Sequence, residues 1–274
     1  MKTPSLGLIG GAGFVGKILR RYFGDIVWSD KDSTEEEIQH VLASNIIFIA
    51  VNFEDNCFSE SSRKQLERYF DAIPVLGEPL VIVFKSTFVP GTTDYFQAKY
   101  PQHKFIYNPE FLTELTAWED FTKPQYQLLG MTHQALDVAG ELLDILPKAS
   151  IREIISPRDA EVLKHAFNSY YALKVTWFNQ LYDACAKLGA DYETVRRLMV
   201  QNPWVGDSHS IIYHKGYRGY GTIRESKCLP KDTTAFQRIT QSELLQTVEH
   251  LNQILYASSS KSPVRNCPPT ERRT

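Results

Sequence analysis

The residues best suited to chemistry in this chain are Cys228-Leu-Pro-Lys231-Asp232 and, far upstream, Gly11-Ala12-Gly13-Phe14-Val15-Gly16. A thiolate is both a good nucleophile and a good leaving group. Lys231, with the positive end of a helix starting here, would favour the thiolate over the thiol. A lone cysteine is more often a small core residue, but a Pro-Lys-Asp turn is poor core material. The glycine stretch has the spacing of a turn on which a dinucleotide pyrophosphate rests. Its first glycine allows the tight turn, the second lets backbone approach the phosphates, and the third lets helix and strand pack closely. Together the two features suggest an oxidation whose product is caught on sulfur.

The flanking elements suit that reading. Leu6 to Gly10 reads as a buried strand and Phe14 to Phe23 as a helix, so the helix N–H groups face the phosphate. Asp25 to Ser29 is a second strand, and Asp30 closes it where a carboxylate would bind the adenine ribose diol. An acid there favours NAD over NADP, a preference that Lys31 weakens slightly. Ser33 or Thr34 caps a helix through Leu42, with Glu35 to Glu37 at its positive end. Asn45 to Val51 is a continuous apolar run, as in a strand covered on both faces. Pro79 to Lys85, Lys104 to Tyr107 and Gln125 to Leu129 read as further strands. The alternation predicts an α/β fold with a doubly wound parallel sheet of the Rossmann type.

At Ser156-Pro157 the pattern changes. Ser156 as N-cap, Pro157 at the first helical position and Asp159 predict a helix start, and the helical pattern runs to Leu188 and stops at Gly189. A helix of that length crosses an interface or forms the spine of a second domain. Asp191 to Val200 reads as a short helix, Asn202 to Lys227 as loop, and Thr233 to Tyr256 as one final helix. The expected organisation is a cofactor domain over 1–155, an all-helical domain over 156–257 and a disordered tail over 258–274.

With 43% hydrophobic and 23% charged residues the composition is that of a soluble globular protein, and a formal net charge of -2 gives no reason to expect nucleic acid or an anionic membrane. No stretch reads as a signal peptide or a membrane span. Cys57, Cys185, Cys228 and Cys267 lack paired spacing, which points to reduced thiols and a cytoplasmic location. The histidines lack ligand spacing, so no metal site is expected.

Four segments, in order, resemble the UDP-glucose/GDP-mannose dehydrogenase family. They are Lys85-Ser86-Thr87-Phe-Val-Pro90-Gly91-Thr92-Thr93, Asn108-Pro109-Glu110-Phe111-Leu112-Thr113-Glu114 continuing through Asp120-Phe121 to Pro124, Ala160-Glu161-x-x-Lys164-x-x-x-Asn168, and Cys228-Leu-Pro-Lys231-Asp232-Thr233. The resemblance implies oxidation of a nucleotide sugar, UDP-linked by preference, from alcohol through aldehyde to carboxylate by two NAD molecules. Cys228 would form a thiohemiacetal and then a thioester. Lys164 and Asn168 would hold an oxyanion, Glu110 and Glu114 would position water and sugar, and Asp232 would act as a base. Thr87 would bond the water or the nicotinamide. Ser86, Thr87, Glu114 and Lys231 join the glycine turn and Asp30 at the cofactor. Phe111, Leu112, Tyr220 and Gly221 join Glu110, Glu114, Lys164 and Asn168 at the sugar. A homodimer through the long helix is expected, with Tyr170, Trp177 and Phe178 in the core or interface.

The chain departs from that family in places. Gly219-Tyr-Gly221 is followed by Thr222-Ile-Arg-Glu-Ser226-Lys227 where consecutive glycines are usual, Val51-Asn52-Phe53 replaces a Val-Pro-Thr-Pro turn, and the segment from Asp30 to Asn45 is short. No segment after the last helix resembles the family's C-terminal nucleotide-binding domain, so a compact or truncated member is expected. Two other readings stand beside this one. A β-hydroxyacid dehydrogenase relative would share the length, the two-domain plan and the helical Lys-x-x-x-Asn pair, and would need no cysteine. An NAD-binding, dimeric, non-catalytic remnant would need no turnover.

Overall fold

The computed structural model describes residues 4–52, 60–73, 78–226 and 228–259. The chain divides into two compact units, 1–166 and 167–274. The first unit runs β1 (Leu6–Ile9), α1 (Phe14–Phe23), β2 (Val27–Ser29), α2 (Glu35–Leu42), β3 (Ile46–Ile49), α3 (Glu60–Asp71), β4 (Val81–Phe84), α4 (Thr92–Lys99), β5 (Lys104–Tyr107), α5 (Ala117–Thr122), β6 (Tyr126–Met131), α6 (Ala139–Ile145) and β7 (Ile151–Ile155). Helix α7 (Pro157–Leu188) begins in this unit and continues into the second. There it is followed by α8 (Tyr192–Met199), β8 (Tyr213–His214), β9 (Tyr217–Arg218), α9 (Cys228–Thr240) and α10 (Glu243–Ser259).

The seven strands form one sheet in the order β2-β1-β3-β4-β5-β6-β7. Strands β3 and β4, Ile-Ile-Phe-Ile and Val-Ile-Val-Phe, are buried at every position. Their side chains alternate between faces, and so between two cores. Ile47, Ile49, Ile82 and Phe84 enter one cluster with Phe70, Phe96 and Phe105. Ile46, Phe48, Val81 and Val83 enter the other with Leu8, Leu19 and Leu129. This is the doubly wound arrangement expected.

Three details of the strands differ from expectation. Strand β6 is antiparallel to β5, pairing Ile106 with Met131 and Tyr107 with Gly130, so the sheet is mixed. The chain between β5 and β6 stays at the end of the sheet where β5 finishes, and no crossover reverses it. Strand β7 has no counterpart in the sequence reading. It is an edge strand, exposed at Ile151 to Ile154, and lacks the apolar run that marks an interior strand. The second unit is not wholly helical: β8 and β9 form a hairpin turned through Lys215 (φ 52°) and Gly216 (φ 88°).

The ends of α7 match the sequence. Asp159 N–H donates to Ser156 Oγ at 3.1 Å, and Gly189 stands beyond Leu188 at φ 70°. Thr34 closes a reciprocal capping box with Glu37. The final helical stretch is two helices instead of one. Gln241 takes φ 54°, and Ser242 Oγ then accepts from Leu245 N–H at 3.3 Å as the cap of α10. Phe53, Cys57, Lys227, Cys267 and, of the expected disordered tail, residues 260–274 lie outside the described residues, while Ser258 and Ser259 end α10. No helix among the described residues is long and apolar enough to cross a membrane.

Candidate active site

In the first unit the glycine turn joins β1 to α1. The left-handed residue of the turn is Gly10 (φ 95°), one position ahead of the glycine the spacing pointed to. Gly16 has no room for a side chain, since a Cβ there would sit 2.1 Å from the Gly10 carbonyl oxygen. Helix α1 opens at Gly13 without a side-chain cap and without an acid in its first turn, so its N–H groups and partial positive charge face outward. Asp30, just past β2, accepts from Ala12 N–H and from Lys31 N–H, each at 2.8 Å, and so stands beside the turn. Ala12, Gly13 and Phe14 are exposed, Val15 half-buried and Gly11 buried.

Two loops follow β4 and β5. Lys85 is 5% exposed and donates to Asn108 Oδ1 at 2.8 Å, while Asn108 Nδ2 donates to Gln127 Oε1 and the Leu128 carbonyl. Burial pulls the Lys85 ammonium down to about 8, against the favourable charge of Glu110. Ser86 is buried and spends its hydroxyl on the Val51 carbonyl at 2.7 Å and on the Ile49 carbonyl, tying two strand ends together. Thr87 is half-buried, one residue beyond.

Glu110 meets Lys164 of α7: the ammonium donates to the Glu110 carbonyl at 2.6 Å and to its carboxylate at 3.1 Å. Leu112 N–H donates to the other carboxylate oxygen at 2.8 Å, and Lys164 lies 5.4 Å from the centre of the Phe111 ring. Burial works to raise the Glu110 carboxyl, but Lys164, the Leu112 amide and Lys85 outweigh it and hold it below the usual range. A carboxylate held ionised is a weak base at neutral pH, better suited to orienting a group than to taking its proton. Glu114 is exposed.

An unfolded lysine titrates near 10.4, so between about 8 and that value the unfolded chain carries a proton that folded Lys85 lacks. Its contribution to stability is present above the unfolded value and is lost as pH falls through about 8. Lys85→Met is expected to flatten the rise of unfolding free energy with pH in that window, by a slope approaching about 1.4 kcal/mol per pH unit. Urea titrations of both proteins at several pH values check this.

In the second unit Cys228 is the first residue of α9 and an exposed thiol. One turn on, Asp232 is 2% exposed and accepts from Asn168 Nδ2 at 2.5 Å, with Lys231 Nζ 4.0 Å from its other oxygen. Residues four apart on a helix share a face, so Cys228 and Asp232 are neighbours on α9. Tyr220 packs with Ala172, Val175 and Val248. Asn252 of α10 holds the loop before it, accepting from Tyr220 N–H at 2.8 Å and donating to the Gly221 carbonyl at 2.9 Å. Gly219 passes so close that a Cβ would lie 2.4 Å from Asn252 Oδ1. Thr222 to Glu225 close into a turn, with Thr222 N–H and Oγ1 both donating to Glu225. Lys164 and Asn168 stand one turn apart on α7, but each is engaged within its own unit, by Glu110 and by Asp232.

Residues 14–145 match the family model for the UDP-glucose/GDP-mannose dehydrogenase family, NAD binding domain, and residues 158–254 match the central domain of the same family. The chain belongs to this family. Among its relatives, the UDP-glucose 6-dehydrogenase of Rhizobium meliloti is 28% identical over 84% of this chain and 62% of that protein. That of Pseudomonas aeruginosa is 30% identical over 76% of this chain and 48% of that protein. The chain therefore spans about half to three-fifths of the length of these curated relatives. The solved UDP-glucose dehydrogenase of Pyrobaculum islandicum superposes with a TM-score of 0.73 at 25% identity, over 92% of this chain and 68% of that one. The 3-hydroxyisobutyrate dehydrogenase of Mycobacterium tuberculosis shares the fold, with a TM-score of 0.71 at 10% identity.

For a dehydrogenase-family member these geometries fit NAD. A turn that excludes Cβ atoms, an uncapped helix start and a carboxylate at the end of β2 suit a pyrophosphate and a ribose diol. Gly10, His165 and Asn252 carry no role in the sequence pattern, and Lys85 and Glu161 stand in the resembling segments without one. Lys85 could have been noticed as a cation closing an apolar strand. Asn252 carries no local signal, because its partners are 31 and 32 positions away.

Proposed function

We propose that this chain, with NAD on its glycine turn, oxidises the C6 alcohol of a nucleotide sugar, UDP-linked by preference, through the aldehyde to the carboxylate. The observation that carries the reading is the setting of Cys228, an exposed thiol opening α9 one turn ahead of a buried Asp232 that grips Asn168. NAD supplies the hydride acceptor for each of two oxidations. Lys164 and Asn168 steady the alkoxide as the alcohol loses its proton and the carbon its hydride. Cys228 Sγ then bonds to the aldehyde carbon, and the carbonyl oxygen takes up a proton to give a thiohemiacetal. Loss of hydride from that carbon and of the hydroxyl proton leaves a thioester on Cys228. Water oriented by Glu110 and Thr87 attacks the thioester carbon, the C–S bond breaks, and Asp232 manages the proton exchanged with the thiol. The sum is one alcohol, one water and two NAD giving one carboxylate, two NADH and three protons.

In this reading Ser86, Glu114 and Lys231 serve the cofactor, and Phe111, Leu112, Tyr220 and Gly221 serve the sugar. The proposal includes a cytoplasmic role supplying acidic sugars for polysaccharide synthesis. Incubation with NAD and a panel of UDP- and GDP-sugars, counting NADH per product, tests it. Two NADH per product support it. One would select a two-electron hydroxyacid-type oxidation, and NAD binding without turnover a non-catalytic role.

The same proposal includes a homodimer through α7. Tyr170 and Trp177, seven residues apart and therefore on one face of the helix, are 53% and 55% exposed. Trp177→Glu is expected to shift the protein from dimer to monomer in sedimentation velocity; a monomeric wild type would remove the idea.

A further inference from the structure

The face that α7 buries in the first unit is not the apolar stripe that helix packing normally requires. Glu161, Lys164 and His165 are 0%, 4% and 1% exposed, all within a little over one turn. Buried polar groups are costly unless hydrogen-bonded, and what these three bond to is specific. Lys164 takes the loop after β5. Glu161 takes the loop after β4: one oxygen accepts from Gly91 N–H at 2.5 Å, the other from Thr93 N–H at 2.9 Å and Thr93 Oγ1 at 2.7 Å. His165 Nε2 donates to the Phe88 carbonyl at 2.8 Å, in the same loop and next to Thr87.

We propose that Glu161 and His165 are positioning residues for the cofactor site: they hold residues 88–93 against α7 and thereby fix Thr87 at the end of β4. The proposal rests on the reading above that Thr87 serves the cofactor or the reacting water. Gly91, at φ 97°, opens α4 with no side-chain cap of its own, and Glu161 supplies the missing acceptor from another element. Together the two residues pin the loop on both sides of Pro90, so Thr87 has little freedom to follow a moving loop. Loss of either anchor would leave β4 and α7 in place and release only the segment between them.

A purely structural cap would behave differently from a positioning pair. NAD affinity, measured by fluorescence titration on folded protein, is the readout, with Glu161→Gln and His165→Leu made alone and with Thr87→Val. We expect each single variant to keep a cooperative melt and to bind NAD roughly tenfold more weakly. In the Thr87→Val background the same changes should cost less than twofold, because their effect passes through Thr87. His165→Gln, whose amide can still donate to the Phe88 carbonyl, should recover most of the affinity. Unchanged affinity in the single variants, or full additivity with Thr87→Val, would overturn the proposal. Should Glu161→Gln not fold, the His165 pair of variants decides alone. A wild type that fails to bind NAD would instead sink the cofactor reading itself.

Discussion

Cys228→Ser is expected to lower carboxylate formation on the order of 10⁴-fold or more, the scale seen when a covalent nucleophile is removed. Serine has the shape of cysteine but not its chemistry. Its hydroxyl stays protonated at neutral pH and its alkoxide is a poor leaving group, so neither capture of the aldehyde nor release of the acid proceeds well. At the first position of α9 the thiolate gains from the positive end of the helix, a benefit that a neutral hydroxyl cannot use. The first hydride transfer does not need sulfur, so a slow release of one NADH per sugar should survive. NADH counted against product, together with intact-mass detection of a sugar adduct on the wild type alone, checks both halves. Retention of two NADH per sugar by Cys228→Ser would end the covalent mechanism.

Lys164→Met should have the second largest effect, on two observables with separate causes. The Lys164 and Glu110 side chains are 5% and 10% exposed, and removing the cation strands a buried carboxylate. Breaking such a pair from one side costs about 3–5 kcal/mol, whereas replacing both partners by neutral groups of similar size is often close to neutral. Urea unfolding should therefore show a large loss for Lys164→Met and substantial recovery when Glu110→Gln is added. Turnover should not recover. If the ammonium holds the developing oxyanion, its loss costs roughly 10²–10³ in kcat whatever the stability. A double variant that regained turnover with stability would reduce Lys164 to a structural cation. The depressed Glu110 carboxyl supports the first half of this expectation, since a group held ionised by its partner depends on that partner.

What proved legible in the sequence was local. The glycine turn, a cap at Ser33 or Thr34 and the start of α7 at Ser156-Pro157 fell where the residues placed them, whereas α9 opens at Cys228, five positions ahead of the expected Thr233. Each match depends on chemistry within a few positions, such as a cap, a ring-fixed φ or a missing Cβ. Where local signals were weak the reading slipped. Strand β7 is mostly exposed and reads as no strand at all, and the break between α9 and α10 turns on one residue, Gln241.

The sequence by itself therefore determined which chemistries are on offer: a dinucleotide turn with an acid after its second strand, and a thiol opening a helix. Tertiary structure alone decided what each reactive group is bonded to. The Glu110–Lys164 pair spans 54 positions, Asn168–Asp232 64 and Gly91–Glu161 70. Contacts at such separations depend on how strands order in the sheet and which face a helix buries. Those choices are made by the sum of hydrophobic packing over the whole unit, and no residue announces its share of that sum.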